Sequence, residues 1–166
     1  MEGMTPLTDS DLRASMLNVS RGEAGRMWLP RDLGDQPWEQ LDYLGWRDPQ
    51  SPTKGYLVTR IDDRLLGLAL RAPTATPGPR RSMCSLCLSQ HSGGVDLMVA
   101  PRAGRSGRQG NTVGTYICAD LRCSLYIRGV LRTETSTVRE TLTVEQRVER
   151  LVGNLAAFVT RVQGPA

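Results

Sequence analysis

Apolar residues recur at helical spacing in the last part of the chain. Val144, Val148, Leu151, Val152, Leu155, Phe158, Val159 and Val162 form one stripe over about five turns. Thr143 and Gln146 supply a capping box at its start, so the pattern predicts an amphipathic helix that packs on a sheet, with partner binding as the competing reading. Residues 55–61 and 65–72 are β-rich runs, and the polar triplet Asp62, Asp63, Arg64 between them signals a hairpin. Two further strands are predicted at 95–100 (VDLMVA) and 113–118 (VGTYIC). Near the start, Thr8 can cap a helix carrying Leu12, Met16 and Val19, and Ser20 with Glu23 caps a second short helix that Pro30 ends. The stretch PWEQLDYLGWRDPQSPTKG, residues 37–55, predicts an ordered loop with one helical turn near 38–43 whose aromatics supply core, and PTATPGPRR at 73–81 a Pro/Gly linker. Asp120 can cap a short helix through Leu125, Tyr126 and Ile127, stopped by Gly129. The fold class expected is α+β, with antiparallel strands and a C-terminal amphipathic helix.

Length and composition narrow the picture. At 166 residues the chain fits one domain, or one with a small appendage, and with only eight aromatic residues its core must be mainly aliphatic. No apolar run approaches the roughly 18 residues of a membrane span, and the opening MEGMTPLTDSDL has neither a basic nor an apolar leader region, so a cytoplasmic protein without a membrane partner is expected. Lysine occurs once, at Lys54; the other 20 basic residues are arginines. Residues 1–70 carry net −3, residues 71–132 net +7, and the remainder is neutral. The positive field of the middle third favours a polyanion or an acidic protein face as partner.

The same third holds all four cysteines, as Cys84-x-x-Cys87 and Cys118-x4-Cys123. Zinc takes four soft ligands tetrahedrally; a tight knuckle offers two thiolates and a strand running into a helical turn offers two more. That order, knuckle, hairpin, helix-borne pair, is a treble clef binding one structural Zn2+. A redox dithiol and buried cysteines that bind nothing are the competing readings, the first weakened by the absence of a thioredoxin-like strand-to-helix turn. His91 could replace a ligand, but a solvated loop histidine is the simpler expectation. Four thiolates leave no position for water, and neither Asp62 with Asp63 nor Ser82 or Ser85 has a partner in a catalytic motif, so no enzyme and no small-molecule substrate is expected.

Between the predicted strands lies PRAGRSGRQGNT, where glycines alternate with Arg102, Arg105 and Arg108. It lacks the Gly-Lys-Ser/Thr of a phosphate loop and is not set between a strand and a helix, which excludes nucleotide binding. It reads as a flexible hairpin tip beside the zinc module, able to contact phosphates or carboxylates, with a solvated connection as the alternative.

The stretch RRSMCSLCLSQHSGGVDLMVAPRAGRSGRQGNTVGTYICADLRCSLYIRG, with LPRDLGDQPWEQLDYLGWRDP upstream, resembles the FBP C-terminal treble-clef zinc-finger domain of the elongation factor G-binding, FusB-type proteins. The resemblance implies zinc ligation by Cys84, Cys87, Cys118 and Cys123 in a finger at about 80–132, within an α+β domain of residues 31–166 that follows short N-terminal helices at 1–30. It implies binding to elongation factor G and its release from the ribosome, as in fusidic acid resistance, without catalysis. Ser85, Leu86, Arg102, Arg105, Arg108, Asn111 and Thr112 fall where the family's partner surface would lie. Direct binding of RNA or the ribosome through the same arginines is the alternative. FusB-type proteins carry an additional N-terminal helical bundle, in whose place this sequence has two short helices.

Overall fold

The computed structural model describes residues 3–72, 83–91, 94–133 and 141–164. The predicted linker at 73–81 lies outside them.

Five antiparallel strands form one sheet in the order β1-β2-β3-β4-β5: β1 Tyr43–Asp48, β2 Ser51–Ile61, β3 Arg64–Arg71, β4 Val95–Pro101 and β5 Thr112–Cys118. The hairpin between β2 and β3 turns on Asp62 and Asp63, both left-handed at φ 50° and 62°, the two-residue turn whose twist suits antiparallel strands. β1 corrects the sequence reading of 37–55 as loop. Its helical turn is present as a 3-10 turn, Trp38–Gln40, but Tyr43, Leu44 and Trp46 are then drawn into the sheet against Thr59, Val58 and Tyr56 of β2. Pro and Asp flank the run and mask a strand whose two faces are both buried.

Each face of the sheet carries its own core. On one face Tyr43, Leu57, Leu68, Leu70, Met98 and Ala100 pack with the four cysteines and with Leu151, Leu155, Phe158, Val159 and Val162 of the C-terminal helix α5, Val144–Gln163. On the other, Leu44, Trp46, Tyr56 and Val58 pack under Leu12, Met27, Leu29 and Trp38. The N-terminal chain thus covers the face opposite α5. Thr8 caps the helix α1, Asp9–Ala14, with a reciprocal capping box to Asp11, and Ser20 caps α2, Arg21–Arg26. α1 is shorter than its apolar spacing predicts because Met16 leaves the helix to pair in parallel with Gly67 of β3.

β3 and β4 meet at a single pair, Arg71 with Val99, and the remaining split is filled by the N-terminal chain. Leu17 N–H donates to the Gly67 carbonyl and Gly67 N–H to that of Ser15, each at 2.9 Å. The Asn18 amide donates to the carbonyls of Ala69 (2.9 Å) and Pro101 (3.0 Å) while its oxygen accepts from Ala69 N–H at 2.8 Å. One side chain satisfies three backbone groups that the strand separation would otherwise leave unpaired.

The sheet also curls until β1 meets the chain beyond β5. Gly45 allows this approach, since a Cβ there would lie 2.6 Å from the Leu121 Cβ and 2.7 Å from its carbonyl oxygen. α5 carries the predicted capping box, but Val144 and Val152 are exposed: Leu151 and Val152, one residue apart, cannot share one narrow buried seam.

Candidate metal centre

Residues 84–87 form a tight knuckle. The N–H groups of Leu86 and Cys87 point at the Cys84 sulfur, at 3.3 and 3.4 Å, and Leu88, left-handed at φ 61°, turns the chain back. Ser85 N–H donates to the Tyr116 carbonyl at 2.9 Å and fastens the knuckle to β5. From the other side α5 clasps it, Asn154 donating to the Leu86 carbonyl at 2.9 Å and Arg150 to that of Cys87 at 3.4 Å. Cys118 ends β5, and Cys123 begins the short helix α4, Cys123–Ile127. The four-residue spacer between them is taken up by a turn in which Leu121 is left-handed at φ 58° and the Asp120 carboxylate accepts from Arg122 N–H. Asp120 thus shapes the turn but does not cap α4, whose N-cap is Arg122. Gly129 ends the helix with φ 73°, as predicted.

All four sulfurs are buried and lie within 4.8 Å of one another. Cys84 and Cys123 are 3.7 Å apart and Cys87 and Cys118 3.5 Å, close to the edge of about 3.8 Å for a tetrahedron with Zn–S near 2.3 Å. The electrostatics agree. Hydrogen bonds from Cys118, Cys123 and Cys87 hold the Cys84 thiol far below its usual range, whereas burial and the neighbouring sulfurs drive the Cys123 thiol well above its own. Sulfurs crowded in one buried cluster oppose one another's ionisation, whereas a dication lets all four ionise together. The donor set fits one zinc ion, and the chain is a treble-clef zinc finger in architecture: knuckle, hairpin, helix.

His91 corrects the expectation of a solvated loop. It is buried, with Nε2 3.3 Å from the Cys118 sulfur and its ring edge-on to Tyr126 at 4.6 Å; Tyr126 in turn donates to Asp120 at 2.6 Å. The four-residue step from Cys87 to His91 was the available signal. Tyr43, from β1, places its hydroxyl 3.4 Å from Cys123 N–H, a contact that no local pattern could disclose.

The residues singled out as a partner surface fall in two places. Residues 104–108 are a short helix, α3 Gly104–Arg108, and not a flexible tip. Arg102 donates to the Arg161 carbonyl at 2.6 Å and Ala103 N–H to that of Val162, so α5 anchors its entry. Arg105, Arg108, Asn111 and Thr112 are exposed. They sit at the end of β5 remote from Cys118, so the seven-residue strand separates them from the metal centre by about 20 Å. In the knuckle Ser85 is exposed but Leu86 is buried against α5. Midway along the hairpin, β4 leaves Leu97 37% exposed, opposite the half-buried Tyr116 of β5. Among the described residues no helix is long and apolar enough to cross a membrane.

Residues 11–162 match the model of the family described as the FBP C-terminal treble-clef zinc-finger. No curated protein matches the sequence. Among solved structures, that of the fusidic acid resistance protein FusC is similar in fold, with a TM-score of 0.59 at 16% identity over 95% of this chain. The chain spans 59% of FusC.

Proposed function

Because the chain belongs to the FBP C-terminal treble-clef zinc-finger family, we propose that it is a cytoplasmic, non-catalytic protein that binds translation elongation factor G and promotes its release from the ribosome, in the manner of fusidic acid resistance. The observation that carries this reading is the convergence of Cys84, Cys87, Cys118 and Cys123 into one cluster of tetrahedral size within a chain that matches the family almost end to end. These four residues would hold one zinc ion. Its chemistry there would be structural: four thiolates would close the coordination shell and tie the knuckle to α4, with the β4–β5 hairpin between them.

The hairpin then presents the docking surface. Ser85 stands at its metal end, Leu97 and Tyr116 in the middle, and Arg108 and Thr112 at the far end, with Arg105 and Asn111 beside them. A standard interface of about 800 Å2 per partner is about 30 Å across, enough to include both ends. An apolar centre with a polar rim is the usual anatomy of such a contact. Leu86, buried, and Arg102, half-buried and bonded to the Arg161 carbonyl, tie this surface to α5. Preference for one conformation of the factor is sufficient to shift it toward release.

The test uses purified components: capture of elongation factor G by the zinc-loaded chain, and recovery of fusidic-acid-stalled translation. Binding is expected to weaken at least tenfold on replacing Leu97 with Asp, and also on replacing Arg105 and Arg108 with Ala. A wild-type chain that holds zinc but does not capture the factor overturns the reading.

A further inference from the structure

A groove of about 730 Å3 crosses the sheet face that carries the N-terminal helices, beyond the part those helices cover. Its floor follows from strand register. Lys54 pairs with Arg71, Tyr56 with Ala69, Arg71 with Val99 and Pro101 with Thr112, and all of these line it on one face. α2 forms one wall with Arg26, and α3 forms the other with Arg108.

Two features of the floor and walls point to an anion. Lys54 and Arg71 are directly opposed on neighbouring strands, an arrangement of like charges that destabilises a sheet. Moreover, among the described residues no carboxylate lies within 4.0 Å of a nitrogen of Arg26, Lys54, Arg71 or Arg108, although ion pairs are made elsewhere by Arg13, Arg47 and Arg128. Arg26, Lys54, Arg71 and Arg108, all exposed and carried by four separate elements, therefore converge with Arg102 on one groove, where five cations outnumber the two carboxylates of the lining, Glu23 and Asp48. A local rule broken at this cost to the fold is expected where a ligand restores the balance.

The form of the groove selects among anions. It is far larger than one inorganic ion, so its occupant carries several charges. Tyr56 is buried and packed at 5.4 Å on Trp46, which leaves it no free face to stack a nucleobase, so base recognition is not what the floor offers. An acidic peptide would gain by adding as a strand in the split between β3 and β4, but Asn18 already satisfies the backbone of Ala69 and Pro101 there. What is left is a groove lined by guanidinium and ammonium groups. We infer that this groove binds the phosphodiester backbone of single-stranded RNA, independently of base sequence. The inference goes beyond the elongation factor reading, and Lys54, Arg71 and Arg26 lie outside the surface assigned to that contact.

Fluorescence anisotropy of a labelled oligouridine of about 15 nucleotides with the full zinc-loaded chain tests it. Four neutralised phosphates predict a slope of log affinity against log salt of about −3, or a loss of about fiftyfold between 50 and 200 mM KCl. Replacing Lys54 and Arg71 together with Ala should halve that slope and weaken binding about tenfold at the lower salt. Arg71→Glu turns the like-charge pair into an ion pair, and should abolish binding with a melting temperature equal to or above that of the parent. Capture of elongation factor G should be unchanged in both variants, which separates failure of this inference from failure of the other. Undiminished RNA affinity in the double variant overturns the inference, as does loss of binding only together with the melting transition. Stronger competition by oligoglutamate than by unlabelled oligouridine also overturns it, and assigns the groove to an acidic peptide.

Discussion

Arg128, in the turn that follows α4, grips Asp42, just before β1, through both nitrogens of its guanidinium, at 2.7 and 3.0 Å. Their side chains are only 11% and 5% exposed, so the pair is almost wholly removed from water. It joins the metal-binding end of the chain to the strand at the opposite edge of the sheet, 86 residues earlier. Asp42 N–H also donates to Ser124 of α4, and nearby Arg47 of β1 donates to Asp96 of β4 and to the Ala119 carbonyl. Removing one partner of a buried pair strands the other. Arg128→Ala is expected to cost about 3 to 5 kcal/mol, read by chemical denaturation. Replacing Arg128 with Met and Asp42 with Leu together should recover most of that loss.

The metal centre gives a second expectation. The zinc-loaded chain should contain one ion per molecule, and chelation should lower the melting temperature and loosen the knuckle, α4 and the segment of α5 that clasps them. Cys84→Ser should behave like the chelated protein, since Cys84 also receives the two knuckle N–H groups. Circular dichroism unchanged after complete zinc removal would contradict this.

Gly45 marks the closest approach of β1 to the turn between Cys118 and Cys123. Gly45→Ala would press a methyl group on the Leu121 backbone, in a turn that cannot yield without moving two metal-binding cysteines. A loss of about 2 to 3 kcal/mol in unfolding free energy is expected, with weaker zinc retention in a competition assay.

Asn18 seals the split between β3 and β4. Asn18→Ala leaves the Ala69 N–H and two carbonyls without partners, and should cost about 2 to 4 kcal/mol by thermal or chemical melting. Met16, Leu17 and the floor of the RNA groove depend on the same seam, so hydrogen exchange should rise first at Gly67 and Ala69.

A fifth site responds to pH. Backbone and side-chain hydrogen bonds with Thr8 hold the Asp11 carboxyl below its ordinary value of 3.8. Because the folded value is the lower one, the capping box contributes fully above pH 3.8 and is lost as pH falls through the folded value. The Thr8 amide resonance should titrate with a midpoint below 3.8, and this titration should vanish in Asp11→Ala.

Features set by contacts a few residues apart were legible in the sequence. The caps at Thr8 and Ser20, the capping box at Thr143, the Asp62-Asp63 turn, the Gly129 stop and the paired cysteines each involve groups that meet within a turn or a knuckle, so their types and spacing suffice. Strand β1 was hidden because its residues satisfy no alternation: both faces are buried, and only β2 tells Tyr43 from Leu44. His91 is as close in sequence to Cys87 as Cys118 is to Cys123, give or take one residue, yet its burial depends on Tyr126, 35 residues later.

The chain by itself determined that four cysteines make one metal site, that an amphipathic helix follows it, and that positive charge belongs to the middle third. Tertiary structure decided where that charge acts. Leu86, alike to its neighbours as a letter, is buried by α5 and Arg102 is tied to the end of that helix, while Lys54 and Arg26 from the acidic N-terminal third join Arg71 and Arg108 around one groove. Charge along a chain adds by position in sequence, but the field that a partner meets adds by distance in space, and only strand register and packing set those distances.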